Sequence, residues 1–255
     1  MANTKTPAEN LSETANPVNN ETLIQLFPRF QTTIRWFIRL IIAVFLIDAG
    51  YLIAIWPDWK WYAEGPIIKS QFIEDYERKS WQNRQLPKLR WQNIEWQEIP
   101  DVMVNAVLAA EDFRFYQHAG IDTDAFKKAM QYNWEKKQLI YGASSISQQT
   151  VKNLFLSSSR NPLRKWHEVL LTFSMEQNLK KSRILTIYLN IAEFGQGIYG
   201  IESASQAYWG KSASQLNETQ AIELAASLPA PARHNPKTRS KFFLKQRSKI
   251  MRNIR

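Results

Sequence analysis

Thirteen consecutive residues, Ala110 to Asp122 (A-E-D-F-R-F-Y-Q-H-A-G-I-D), gather side chains that can do chemistry. Glu111 and Asp112 close an apolar helical run, where the partial negative charge of a helix C-terminus disfavours an acid by roughly 0.3–1 kcal/mol. An acid set against the dipole points to a job other than helix stability. A carboxylate beside a hydroxyl can act as a general base, taking the proton as the new bond forms. Phe113, Phe115 and Tyr116 are candidates to wall such a base from water, and Asp112, Arg114 and His118 are polar groups at its side. The plainer reading is a solvated helix end.

A second polar block follows: Gly142-Ala143-Ser144-Ser145-Ile146-Ser147-Gln148-Gln149, then Lys152 and Asn153. Ser145 and Gln148 have the spacing of a capping box, which opens a helix. The N–H groups of a helix start also form an anion site, with Lys152 two turns along. A third block is Arg164-Lys165-Trp166-His167-Glu168. Arg164 and Glu168 share a helix face, as an ordinary surface ion pair or as a second carboxylate facing the first, with Arg164 and Lys165 available for phosphate. Carboxylates with clustered amides, hydroxyls and cations suit a sugar and a phosphate. His118 and His167 stand too isolated to ligate a metal, and His118 reads better as a structural hydrogen-bonder. Zinc spacing, a phosphate-binding glycine loop and a dinucleotide fingerprint are absent from the sequence, so no metal site is assigned.

The elements that must position these residues are mostly helices. From Pro100 the pattern turns helical, with Val104, Val107 and Leu108 on one face. Asp122 or Thr123 caps a helix to about Lys136, and Ser145 opens one to about Leu156. Asn161-Pro162 opens a long helix to about Lys180, with Pro at the first turn. Ser182 caps the next, carrying Ile184, Leu185, Tyr188 and Leu189. Asn217 with Gln220 opens another, ended by Pro229. Strand-like alternation is scarce and no internal repeat is visible, so the expected class is all-α, or mainly α.

The 255 residues suffice for one sizeable domain and an appendage, and 44% hydrophobic residues with 10 Trp suffice for a core. A formal charge of +10 calls for an anionic partner. With Cys 0, disulfides and thiolate metal sites are excluded, and no compartment is decided. Leu40 to Trp56 is apolar except for Asp48. Roughly ten strongly apolar residues contribute about −3 to −6 kcal/mol to membrane insertion, against about +2.5 to +3.5 for the Asp. The run from Trp36 to Trp56 is near the ~20 residues a bilayer needs, and no small-residue cleavage site is apparent. An uncleaved anchor is expected over 34–56, after a disordered cytoplasmic tail at 1–33. Arg29, Arg35 and Arg39 against Lys60 and Lys69 favour the N-terminus inside, and Trp56, Trp59, Trp61 and Tyr62 are expected to form an aromatic belt on the far side. Asp48 supports the other reading, a buried helix of a soluble domain. Residues 57–84 read as an irregular membrane-proximal linker, and 85–255 as the functional domain.

These blocks resemble glycosyltransferase family 51, the glycosyltransferase domain that polymerises peptidoglycan and also occurs in class A penicillin-binding proteins. Its E-D-x-x-F-x-x-H-x-G is matched by Glu111, Asp112, Phe115, His118 and Gly120. Its G-x-S-T-I-T-Q-Q-x-x-K-N is matched by Gly142, Ser144, Ser145, Ile146, Ser147, Gln148, Gln149, Lys152 and Asn153, with Ser for both Thr. R-K-x-x-E falls on Arg164, Lys165 and Glu168; K-x-x-I-L-E-x-Y-L-N falls on Lys181, Ile184, Leu185, Tyr188, Leu189 and Asn190, with Thr186 where the family has an acid. Phe194-Gly195, Gly197, Gly200, Ala204, Tyr208, Lys211 and Asn235-Pro236 continue the resemblance, which covers about 85 to 255. Many relatives carry a Lys before the segment ending in Asn-Pro; Pro229 and Ala230 stand there, and Arg233 or Arg247 is the expected replacement.

The resemblance implies a lysozyme-like, all-α domain outside the bacterial inner membrane, anchored by one transmembrane helix. It implies lipid II and the growing glycan strand as partners, without nucleic acid, and cell-wall synthesis or division proteins as further candidates. Glu111 would deprotonate the acceptor's 4-hydroxyl, which attacks the anomeric carbon with inversion. Undecaprenyl pyrophosphate would leave towards Lys152, Arg164 and Arg233, with Glu168 orienting it or a nearby cation. No cofactor is obligatory; a divalent cation, Mg or Mn, is compatible with the pyrophosphate. The chain shows no S-x-x-K, S-D-N or K-T-G, so a monofunctional enzyme is expected. Two alternatives stay open: a lysozyme-like lytic glycosidase acting on peptidoglycan, and a basic membrane protein that binds anionic polymer.

Overall fold

The computed structural model describes residues 20–137, 144–157 and 162–254. The chain divides into two compact units, Met1–Ala54 and Ile55–Arg255. The first contains one long helix, α1 (Asn20–Ala54). An 18-residue window within Gln31–Glu64 has a mean hydropathy of 2.3 and is 6% buried, so one helix is long and apolar enough to cross a membrane. At 1.5 Å per residue, the 35 residues of α1 exceed a ~30 Å hydrocarbon core. The expected tail at 1–33 is therefore too long: from Asn20 the backbone is already helical. A helix nucleated by an apolar span extends outwards at little further cost per residue.

The second unit begins thirty residues earlier than expected for the functional domain. Residues 57–84 are not an irregular linker. They hold α2 (Trp59–Glu64), capped by the Asp58 carboxylate, and α3 (Gln71–Gln82), capped by the Ser70 hydroxyl. Trp59 and Tyr62 pack edge-on against Phe155, at centroid distances of 5.7 and 5.1 Å. Ile73 is fully buried. Arg183 donates to the carbonyls of Tyr62 (2.8 Å) and Gly65. The expected aromatic belt is corrected accordingly: Trp59 belongs to the core and Tyr62 packs against it, whereas Trp56 and Trp61 are exposed. Polar spacing hides such segments, because two short helices stabilised by tertiary contacts need little periodicity of their own.

Further along come α4 (Asp101–Glu111), α5 (Thr123–Lys136), α6 (Ile146–Phe155), α7 (Pro162–Asn178), α8 (Lys181–Ile191), α9 (Ile201–Trp209), α10 (Glu218–Ser227) and α11 (Lys241–Ile254). The caps expected at Asp122, Ser145 and Asn217 form, the last two as full capping boxes. The cap expected at Ser182 does not: Lys180 occupies the N-cap of α8, and Ser182 lies in its first turn. Asn161 lies outside the described residues. A small sheet adds β1 (Arg90–Trp91), β2 (Glu193–Gly195) and β3 (Ile198–Tyr199) in the order β1-β3-β2, β1 parallel and β2 antiparallel to β3.

Two helix groups frame the interior: α6 with α7 and α8, and α4 with α10 and α11. Asn190 ties the strand region to α8. Its side chain accepts from the Ile94 N–H (2.9 Å) and donates to the Ile94 carbonyl (3.0 Å), while its carbonyl receives Trp91 Nε1 (3.0 Å). Thr186 is buried, and its hydroxyl bonds back to the Ser182 carbonyl at 2.7 Å. The threonine thereby satisfies itself where a carboxylate would need a partner.

Gly120 links the loop after α4 to α6 and α7. Its φ is +93°, a Cβ there would lie 2.8 Å from Thr172 Cγ2, and its carbonyl accepts from the Ser145 hydroxyl. Gly120→Ala is expected to cost at least about 1–3 kcal/mol through left-handed strain and this clash. Equilibrium denaturation of the full chain in detergent measures it; unchanged stability would mean the turn is not a constraint.

Candidate active site

Glu111 is the last residue of α4, and Asp112 is its C-cap. The Asp112 carboxylate is buried; it accepts the Ile146 N–H at 3.0 Å and pairs with His118 Nε2 at 3.0 and 3.1 Å. The first N–H of α6 is thus met by the protein's own carboxylate. Further round, the Gln148 N–H donates to the Ser145 hydroxyl and the Gln149 N–H to the Ser145 carbonyl. The Gln148 side chain returns to the Ser145 N–H at 3.1 Å. Asp112, His118, Ser145 and Gln148 thus bond to one another or to neighbouring backbone beside Glu111, while Asp112 and Ser145 also line the larger cavity described below.

Gln149 sits one residue further round that turn. Its amide nitrogen donates to Glu111 Oε2 at 2.7 Å, and its amide oxygen accepts from the Tyr188 hydroxyl at 3.1 Å. The tyrosine fixes which face of the amide meets the acid. Burial is the main influence on Glu111 and pushes its pKa up; the Gln149 bond opposes this, neighbouring Asp112 adds to it, and Lys249 and Lys152 oppose it at longer range. A desolvated carboxylate with one neutral donor suits a group that must take a proton near neutral pH.

Two cavities meet at this pair. One, of about 540 Å³, is lined by Glu111, Phe113, Arg114, Lys128, Tyr132 and Ser144, among others. The other, of about 170 Å³, is lined by Phe72, Gln149, Lys152, Asn153, Tyr188 and Glu193, among others. Lys152 Nζ lies 5.8 Å from the Phe72 ring centroid and makes no ion pair among the described residues. Burial pushes its pKa down; Glu168 opposes this, Arg164 and Lys165 add to it, and Glu111 opposes it. Lys152 therefore feels both carboxylates of the sequence motifs. Glu168 is buried on α7, accepting from Arg164 (3.0 Å) and from Lys165.

Other expected site residues stand elsewhere. Phe115 is fully buried, with Lys181 Nζ 4.2 Å from its ring centroid, so it is core and cannot wall the acid. Phe113 and Tyr116 are exposed. Arg114 pairs with Asp122 and Asp124 while still lining the larger cavity; its guanidinium holds the Asp122 carboxyl down at about 2. Arg247 pairs with Glu223 at 3.4 Å, and Arg233 is exposed on the turn after α10, lining neither cavity. Neither lines the Lys152 cavity. Gly142 lies outside the described residues. Asp112, His118 and Asp122 bring ligand-type atoms within 4.8 Å of one another, but those atoms are engaged with Ile146, Arg114 and the Ala125 N–H. Sequence reasoning missed Lys249, Phe72 and Glu193. Lys249 carries only the signal of a solvated face, and the other two arrive from distant elements.

Removing the amide should expose the acid's burial. Gln149→Leu is expected to raise the pKa of Glu111 further, so the acid limb of the kcat/KM profile moves to higher pH. An unmoved limb would separate Gln149 from the acid.

The sequence profile of a family described as Transglycosylase matches residues 79–255. A protein of Methylobacillus flagellatus named biosynthetic peptidoglycan transglycosylase is 41% identical over 67% of this chain and 75% of its own length. Proteins of the same name from Salmonella agona and Salmonella arizonae are each 46% identical, over 63% of this chain and 68% of their own length.

Proposed function

This chain belongs to the transglycosylase family, and from that premise we propose how its cleft carries out glycan polymerisation. It is a peptidoglycan glycosyltransferase of cell-wall synthesis. The substrate in this reading is lipid II, joined to a growing strand whose reducing end carries undecaprenyl pyrophosphate. Glu111, ionised, takes the proton of the acceptor's 4-hydroxyl. That oxygen bonds to the anomeric carbon of the strand from the face opposite the diphosphate, the carbon–diphosphate bond breaks, and the configuration inverts. The leaving diphosphate takes the electron pair, and Lys152 meets its charge. Glu168 orders Arg164 and Lys165 beside Lys152. Ser144 and Arg114 line the larger cavity, in reach of sugar, and Asn153 stands with Lys152. The observation that carries the reading is the buried Glu111, held by one neutral amide between a large cavity and a smaller one containing a lysine with no ion pair among the described residues. A lytic glycosidase also needs a carboxylate, but has no use for a buried cation facing a leaving anion.

The scheme requires no cofactor. Mg²⁺ or Mn²⁺ can accompany the diphosphate, where Asn153 offers an oxygen beside Lys152. The apolar helix supports membrane anchoring, which holds the enzyme beside a lipid-borne substrate at raised effective concentration. We assign the N-terminus to the cytoplasm, the catalytic domain to the periplasm and the chain to the inner membrane, from the arginines before the span. Cell-wall synthesis and division proteins are candidate partners on the same grounds.

The test is incubation of the purified full chain with labelled lipid II. Long glycan is expected, with no cutting of finished, lipid-free strands. Glu111→Gln should lower polymerisation by ~10²-fold or more with lipid II still bound. Lys152→Ala should be severely impaired and partly restored by Mg²⁺, which neutralises the same charge. Muropeptide release from purified cell wall, with no polymer from lipid II, would establish the lytic reading instead.

For topology, a reporter active only in the periplasm is expected to work when fused after Arg255 and to be silent near Asn20. The reverse pattern would overturn the orientation.

A further inference from the structure

Glu193 opens β2 and lines the 170 Å³ cavity that also contains Lys152, yet the mechanism above leaves it unused. No cation pairs with it among the described residues. Its one hydrogen bond there is long, 3.4 Å from the Gly197 N–H to Oε1. The groups facing it come from several elements. Tyr76 of α3, Tyr199 of β3 and Tyr208 of α9 all feel its charge, and Lys152 of α6 faces the same cavity without an ion pair among the described residues. From α8 the cavity receives Tyr188 and Ile191, and beyond α10 it receives Leu228. The hydroxyls of Tyr76 and Tyr208 are spent on the carbonyls of Pro87 (2.8 Å) and Phe194 (2.9 Å). Neither is a donor to the carboxyl, so Glu193 is a half-buried acid with almost nothing to stabilise its charge. Burial holds its carboxyl up at about 7.

An acid in this position conflicts with a diphosphate if ionised and helps it if neutral. In so small a cavity a diphosphate seated on Lys152 reaches the other walls. A carboxylate there adds like charge in a place with little water to screen it. A carboxylic acid there offers an O–H donor to a phosphate oxygen, a charge-assisted bond stronger than a neutral one. We propose that Glu193 is a further substrate-positioning residue, whose neutral carboxyl donates to the diphosphate oxygen turned away from Lys152 and whose ionised form repels it. The inference rests on the assignment of this cavity to the diphosphate. Its consequence is that hold on the diphosphate weakens as pH rises through neutrality. Donor binding and product release are then set in opposite directions by one proton.

The test compares the full-length protein in detergent with Glu193→Gln. The amide keeps the shape and a donor at every pH and carries no charge. Between pH 6 and pH 8 the KM for the diphosphate-bearing donor strand is expected to rise about tenfold in the unaltered protein, the ratio of protonated fractions for a group titrating near 7. In Glu193→Gln it should stay flat from this cause. Titration of Glu111 and Lys152 is common to both proteins and cancels in the comparison. A purely structural Glu193 would give a loss at all pH values, with the pH dependence unchanged; that result overturns the proposal. If Glu193→Gln does not fold, Glu193→Asp, its carboxyl drawn back by one methylene, should shift the inflection, and an unmoved inflection also overturns it. Binding of inorganic diphosphate is measured in parallel. If the unaltered protein makes no polymer but binds diphosphate with the same Glu193-dependent pH response, Glu193 keeps its role and the polymerase reading fails.

Discussion

The active centre depends on one buried junction, the Asp112 carboxylate between the end of α4 and the start of α6. Two helix termini of opposite partial charge meet there, and the carboxylate fills the N-terminus of α6 as an N-terminal acid should. An unpaired charge so deeply buried would cost several kcal/mol, so the His118 and Ile146 partners must stay in place for the domain to hold together. Once this joint is made, the first turn of α6 has one orientation. Gln149 on that turn then meets Glu111 on the last turn of α4, and Lys152 comes round to the neighbouring cavity. Glu111, the base of the proposed reaction, thus sits at an unfavourable helix end because its neighbour is needed there.

The two motif carboxylates have opposite surroundings. Glu111 is desolvated and touched by a neutral amide, which leaves it able to gain and lose a proton. Glu168 is engaged by two cations on its own helix, which spends its charge on ordering them. Lys152 lies within the field of both and has no partner of its own among the described residues. A cation depressed by burial and left without a partner among the described residues is a standing demand for an anion, and in the reaction we propose the leaving diphosphate meets it. In the proposed reaction the cleft is therefore charged asymmetrically along the direction in which negative charge moves.

Much of this was legible in the sequence. The helical class, the caps at Asp122, Ser145 and Asn217, the long apolar helix and the motif acids depend on local spacing and on residue type, which a sequence displays directly. What spacing could not display is which polar groups of a motif face substrate and which face each other. His118 and Gln148 belong to the same blocks as Glu111 and Gln149, yet they spend their side chains on the joint, and Asp112 and Ser145 serve the joint while also lining the larger cavity. Nor could it show that Trp59 and Tyr62, placed like a membrane belt, pack on Phe155 nearly a hundred residues away. The sequence by itself determined the elements and the chemical inventory, because helix periodicity, capping and hydropathy act over a few residues. Only the tertiary structure decided the assignment of roles. Burial, pairing and the walls of a cavity are made by residues from five or six elements at once, and no local pattern carries that information.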